Sequence, residues 1–244
     1  MMQRYFIYFA YDGTAYHGWQ VQPNGNSVQA ELQKALSVLL QTPIQVVGAG
    51  RTDTGVHARK MVAHFDMECT LNEEQMAYKL NRLLPHDISV YGLEAVAEDM
   101  HARFSAKWRT YHYYVHLYKD PFCRTYSYQL YRTPDFDKMN EAAAYLCEVK
   151  DFGAFCKSNS DAKTTLCDLI KARWVQEGEG KWYFEVTANR FLRNMVRALV
   201  GTLLDVGYGK LTLEAFREVI MSKSRSNAGE SVPGHALFLE EVEY

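Results

Sequence analysis

Ile44-Gln45-Val46-Val47 and Met61-Val62-Ala63-His64-Phe65-Asp66 are two apolar, β-branched runs on either side of a glycine-rich loop, Gly48-Ala49-Gly50-Arg51-Thr52-Asp53-Thr54-Gly55-Val56-His57. Residues of these types favour strands, so the segment reads as strand, loop, strand. Upstream, Ser27 is a plausible N-cap, and Val28, Leu32, Ala35, Leu36 and Leu39 recur at helical spacing. Before them, residues 5–11 form an aromatic and β-branched strand. Downstream, Asn72 caps an expected helix with the stripe Met76, Leu80, Leu83 and Leu84, followed by a strand over 88–93. The order is β-α-β-β-α-β, that of ferredoxin-like units.

The second half repeats it. Residues 110–118 read as a strand, and Asp135 precedes the stripe Met139, Ala142, Ala143 and Leu146. Strands follow over 166–175 and 181–186, joined by a turn at 177–180. Helices are expected over 191–206 and 213–221, and a last strand over 236–242. The expected fold class is therefore α+β: two ferredoxin-like (RRM-like) halves with mostly antiparallel sheets flanking a central cleft. Residues 1–105 and 106–244 form the two domains.

The chain has 244 residues, 48% of them hydrophobic and 23% charged, enough apolar material for a core of ordinary globular kind. No run of about 18 apolar residues occurs, so no membrane span is expected. The start of the chain runs straight into a strand-like segment without a signal-like apolar region. The five cysteines are widely spaced and form no CxxC pair, which argues against a disulfide framework or zinc knuckle and for a reducing cytoplasm. No HExxH, GxSxG, GxGxxG or P-loop spacing is present, so neither a metal nor a nicotinamide cofactor is expected.

The net charge of -2 is unusual for a nucleic-acid partner, but the charges are segregated. Arg103, Lys107 and Arg109 stand in a stretch, residues 101–116, that holds no carboxylate. Arg190, Arg193 and Arg197 do so in residues 186–204. Acids gather at 73–74, 94–99, 177–179 and 240–243. A basic surface is compatible with a neutral total.

Three clusters can carry chemistry. In the glycine-rich loop, glycines 48, 50 and 55 permit close backbone approach or positive φ. Arg51 and Asp53, two apart, share a direction if the segment is extended, so the cation can keep the carboxylate ionised. Spacing alone favours a tight turn in which Asp53 caps a backbone amide and pairs with Arg51. In residues 103–114, cations alternate with rings, which suits phosphates and unpaired bases. Arg109, Tyr111 and Tyr113 share one strand face, and an amphipathic core strand accounts for most of those rings. In residues 189–197, Arg190, Arg193 and Arg197 fall on one helical face, near a helix N-terminus that favours anions; a solvated basic face accounts for them equally well.

Taken together, Tyr11-Asp12-Gly13-Thr14-Ala15-Tyr16-His17-Gly18-Trp19-Gln20, Gly50-Arg51-Thr52-Asp53-Thr54-Gly55-Val56-His57-Ala58, His101-Ala102-Arg103-Phe104-Ser105-Ala106, Arg109-Thr110-Tyr111 and Phe191-Leu192-Arg193-Asn194-Met195-Val196-Arg197 resemble the tRNA pseudouridine synthases of the A class, the TruA family. The resemblance implies that Asp53 is the catalytic aspartate, Arg51 its motif arginine, Tyr111 the ring that packs on the target base, and Arg197 the cation paired with Asp53. Arg103, Arg109 and Arg193, from the two basic stretches, are further candidate substrate-binding residues. It further implies uridines 38–40 of the tRNA anticodon stem-loop as targets, a homodimer, and no cofactor. Two positions depart from the family pattern: Ala236 stands where glycine is usual, and Asn194 where many relatives have histidine. The other readings are a non-catalytic RNA-binding protein, which needs Tyr111 and the arginines but not Asp53, and a small-molecule enzyme with a phosphate in the glycine-rich loop.

Overall fold

The computed structural model of the chain describes residues 2–23, 25–157 and 162–244. The strands are β1 (Gln3–Tyr11), β2 (Val47–Gly48), β3 (His57–Met67), β4 (Ile88–Val96), β5 (Trp108–His116), β6 (Tyr128–Gln129), β7 (Leu169–Gly178), β8 (Lys181–Ala188) and β9 (Leu237–Glu243). The helices are α1 (Val28–Leu40), α2 (Glu73–Leu83), α3 (Phe136–Leu146), α4 (Met195–Gly207) and α5 (Leu213–Ser222). The chain is α+β with mostly antiparallel sheets, in two compact units: Met1–Lys107 with Phe238–Tyr244, and Trp108–Leu237.

In the first unit β1 lies between β3 and β4, antiparallel to both, with Phe6 opposite His64 on one side and Glu94 on the other. Tyr5, Phe6, Ile7 and Phe9 are all buried. A central strand covered on both faces reads as a continuous apolar run rather than an alternation. Burying each such side chain stabilises the unit by about 1.5–3 kcal/mol. Ser27 and Asn72 cap α1 and α2 by accepting from the Ala30 and Gln75 amides at 3.3 and 2.9 Å. The far edge is supplied by the end of the chain: β9 runs parallel to β3, with His57 opposite Phe238 and Ala58 opposite Leu239. Arg59 and Lys60 pair with Glu240 and Glu241 at 3.1 and 2.7 Å, and the Tyr244 ring packs 4.9 Å from Phe6.

The run 44–47 is mostly not a strand. Only Val47 and Gly48 pair with β3, at His64 and Ala63. The preceding amides bond instead to side chains of α1. Ile44 donates to Ser37 Oγ at 2.9 Å and Val46 to Gln33 Oε1 at 3.1 Å. The Val46 carbonyl accepts from Gln29 Nε2 at 2.9 Å. Polar helix residues thus satisfy the backbone groups that a ladder would otherwise take.

In the second unit β8 lies between β5 and β7, antiparallel to both, and β6 adds in parallel to β5. Asp135 caps α3, whose Met139, Ala142, Ala143 and Leu146 are buried as their spacing predicts. The helix expected from residue 191 starts four residues later. Asn194 sits in the left-handed region at φ 67°, and α4 begins at Met195. Asparagine is among the few residues that tolerate that conformation. Arg190 and Arg193 therefore precede the helix, and Arg197 alone of the three lies on it; the shared helical face does not exist. Leu83 also departs from its expected stripe, being exposed at the end of α2, while Leu84 is buried.

Candidate active site

The loop of Asp53 joins β2 to β3 and is gripped by residues 11–19. Thr52 is the fixed point. Its hydroxyl lies 2.9 Å from Tyr11 Oη and accepts the Trp19 amide at 3.1 Å. Gly55 N–H donates to the Tyr16 carbonyl at 3.3 Å, and Val56 N–H to the Asp53 carbonyl at 3.2 Å. Behind the loop, His57 Nδ1 stands 3.0 Å from the Gly13 amide and 3.1 Å from the Asp12 carboxylate. Trp19 is buried against Phe9, 5.5 Å between ring centroids. It fills the space where a side chain on Gly48 would have to go.

The segment 11–19 carries no chemistry of its own that its residue types announce. Its task is to hold the Asp53 loop, and the one sequence signal for this was its density of Gly, Tyr and Trp ahead of a helix cap. Asp53 itself is half-buried. Arg51 is exposed and, among the described residues, enters no ion pair, so the expected Arg51–Asp53 pair does not form. These positions belong to no strand, and Arg51 is the more exposed of the two. Of the three loop glycines, Gly55 needs its positive φ of 74° and Gly48 its lack of a side chain; Gly50 needs neither, since a Cβ there meets nothing.

Arg103 belongs to the same unit, in a tight turn after β4. His101 Nδ1 accepts the amides of Arg103 and Phe104 at 3.0 and 3.2 Å, and the Arg103 guanidinium lies 5.7 Å from the centre of the exposed Phe104 ring. Beneath it the buried His64 accepts the Ala102 amide at 3.1 Å. Burial, then the charges of His101 and Arg4, hold His64 well below the ordinary imidazole value, down to about 4, against the opposing pull of Asp66. The unfolded chain therefore binds this proton more readily than the folded one. Stability is complete above pH 6.5 and is lost as pH falls from there toward 4. We expect denaturant midpoints to show that loss, and His64→Gln, which can still accept from Ala102, to flatten it. An unchanged slope in the variant would assign the acid response to other groups.

In the second unit Tyr111 and Arg109 lie on one face of β5, opposite Val186 and Ala188 of β8. Both are half-buried, whereas Tyr113 on the same face is fully buried, its hydroxyl donating to the Pro233 carbonyl at 3.0 Å. Of the rings in residues 103–114, Tyr113 is the one fully buried, Phe104 is exposed, and Trp108, Tyr111 and Tyr114 are half-buried. The Tyr111 ring meets Phe191 edge to face at 5.0 Å, and Arg109 donates to the Asn189 carbonyl at 2.6 Å. The structure therefore brings Arg109 and Tyr111 to the segment leading into α4. Arg193 in that segment is exposed, and its carbonyl accepts from Lys157 N–H at 3.1 Å. Arg197, in the first turn of α4, is half-buried and donates through Nε to the Val232 carbonyl at 2.7 Å. Asn194 donates to Ser231 Oγ at 2.6 Å, which ties the helix start to the same stretch.

Among the described residues no cluster of three or more His, Cys, Asp or Glu is placed to hold a metal ion. No described helix is long and apolar enough to cross a membrane. A family model described as tRNA pseudouridine synthase matches residues 7–105 and 142–244. The chain belongs to the tRNA pseudouridine synthase family. The reaction of that family is an isomerisation, and the membership disfavours a purely RNA-binding role.

Curated relatives agree with the family match over its full length. The chain is 59% identical to a tRNA pseudouridine synthase A of Bacteroides thetaiotaomicron, over 100% of this chain and 91% of the relative. It is 56% identical to that of Bacteroides fragilis, over 100% and 97%, and 40% identical to that of Bacillus subtilis, over 96% of each. The family match contains Arg51, Asp53, Arg103, Arg193 and Arg197, whereas Arg109 and Tyr111 fall in its interruption between residues 105 and 142.

Proposed function

We propose that this protein converts uridine to pseudouridine at positions 38–40 of the tRNA anticodon stem-loop, with Asp53 as the essential carboxylate. The observation that carries the proposal is the Asp53 loop itself: a half-buried carboxylate on a loop clamped at Thr52 and Gly55 within a chain of this family. The reaction breaks the bond from ribose C1′ to uracil N1 and joins C1′ to C5, with no net redox change or hydrolysis. It calls for a held carboxylate acting as nucleophile or base and for no cofactor. Three routes fit such a group: attack on C1′, addition to C6, or removal of the C2′ proton.

The target uridine must leave its stack, at a cost of a few kcal/mol. In this reading Tyr111 returns part of that by stacking on the base, about 1–3 kcal/mol. Arg197 serves as the cation beside Asp53, and Arg51, Arg103, Arg109 and Arg193 meet the RNA backbone. The protein acts in the cytoplasm as a homodimer, with the tRNA spanning both subunits, which doubles the basic strips of a chain whose net charge is only -2.

The test is incubation with an unmodified tRNA transcript, without added cofactor, followed by mapping of pseudouridine. Product at 38–40 is expected; no product from the unaltered protein would overturn the proposal. Arg197→Ala should lower turnover more than tRNA affinity. The opposite split would reduce Arg197 to a phosphate contact.

A further inference from the structure

Residues 117–132 lie wholly in the interruption of the family match. They carry four tyrosines and three cations against the single acid Asp120. Asp120 is used internally: its carboxylate lies 3.3 Å from Lys181 Nζ and 3.1 Å from Cys123 Sγ. Ser127 Oγ and His116 Nδ1, 2.9 Å apart, fix the other end of this segment, and Leu130 N–H donates to the His116 carbonyl at 2.8 Å. So anchored, the segment forms one wall of a concave pocket of about 280 Å³, with Tyr128, Tyr131 and Arg132 on that wall and Tyr208 and Lys210 facing them.

The pocket is built from rings and cations. Tyr208 caps the end of α4 and donates from its hydroxyl to the Arg132 carbonyl at 3.1 Å. The Arg132 guanidinium and the Lys210 ammonium stand 5.6 and 6.0 Å from the centre of its ring. Tyr131 is 91% exposed, so its ring is open to a partner. Asp205 pairs with Lys210 at 3.2 Å on the surface, an interaction worth too little to hold the lysine against a phosphate.

We infer that this pocket takes one unpaired nucleotide of the substrate RNA, away from the uridine that reacts. Its base stacks on Tyr131 and its phosphate lies between Arg132 and Lys210. The volume is near the lower limit of ligand pockets, roughly 300–1,000 Å³, which admits a single base. Rings beside cations are the chemistry of single-stranded RNA contacts. The inference rests on the tRNA substrate proposed above, and the test separates the two.

The full-length protein is titrated with a labelled, unmodified tRNA transcript, and turnover on the same transcript is measured. Tyr131→Ala, at an exposed position, should raise Kd by at least about 5-fold with kcat unchanged. Tyr131→Phe should restore affinity, and Arg132→Gln should weaken it while making it less sensitive to salt. A Kd for Tyr131→Ala equal to the parent's overturns the inference. So does a change in self-association without a change in Kd, which would make this face a protein contact. If the parent makes no pseudouridine but Tyr131→Ala still weakens transcript binding, the pocket stands and the catalytic proposal falls.

Discussion

Asp53→Asn is expected to lower pseudouridine formation by at least about 10³-fold, with the melting temperature and tRNA affinity near the parent's. A positioned acid, base or nucleophile is worth about 10²–10⁴-fold, and the reaction proposed for this loop has no second group to substitute for it. The amide keeps the shape of the side chain but removes its charge and its nucleophilic oxygen. The Thr52 hydroxyl, the Gly55 amide and the Asp53 backbone carbonyl hold the loop through bonds that the substitution leaves in place, so its conformation should persist. Asp53→Glu keeps the charge but displaces it by one methylene, and should recover only part of the rate. Turnover near the parent's in Asp53→Asn would remove Asp53 from the mechanism.

Gly18→Ala is expected to cost about 10²-fold in turnover although residue 18 touches no reacting atom. Gly18 has φ 89°, in the range L side chains rarely adopt, and a Cβ there would lie 2.2 Å from the Thr52 carbonyl oxygen and 3.0 Å from the Asp53 carbonyl carbon. Both neighbours are backbone, so no rotamer relieves the contact and the loop itself has to move. A displacement near 1 Å is enough for a loss of that size. Gly92→Ala, in the same unit, places its Cβ in open space and serves as the control. Circular dichroism should show both variants folded. If Gly18→Ala keeps full turnover, the grip of residues 11–19 does not set the position of Asp53.

Local chemistry made much of the fold legible. Ser27, Asn72 and Asp135 cap the helices expected of them, and the buried stripes of α1 and α3 follow their helical spacing. Where the reading failed, a distant or conformational effect prevailed. Residues 44–46 have strand propensity, but Ser37, Gln33 and Gln29 took their backbone groups, and nothing local announces that. Residues 191–194 have helical periodicity, which carries no mark of a left-handed Asn194. The partner of β9 lies some 180 residues upstream and leaves no trace in either segment alone.

For the site, the loop of Asp53 stood out by its glycines and charges, and the family resemblance supplied the roles. What spacing could not supply was the environment of each side chain. Arg51 and Asp53 are two residues apart yet differ in exposure, because direction along an irregular loop does not follow strand alternation. Nor could it sort the rings around Tyr111: only burial separates the structural Tyr113 from its half-buried neighbour.

The parallel pairing of β9 with β3 also sets an order of events during synthesis. The strand that flanks His57 and Ala58, directly after the Asp53 loop, leaves the ribosome only after the second unit. At translation speeds of about 5–20 residues per second, the first unit waits roughly 10 s for it while the whole second unit emerges. A nascent chain of this tRNA-modifying family thus holds its aspartate loop beside an unfilled sheet edge until the codons of β9 have been decoded.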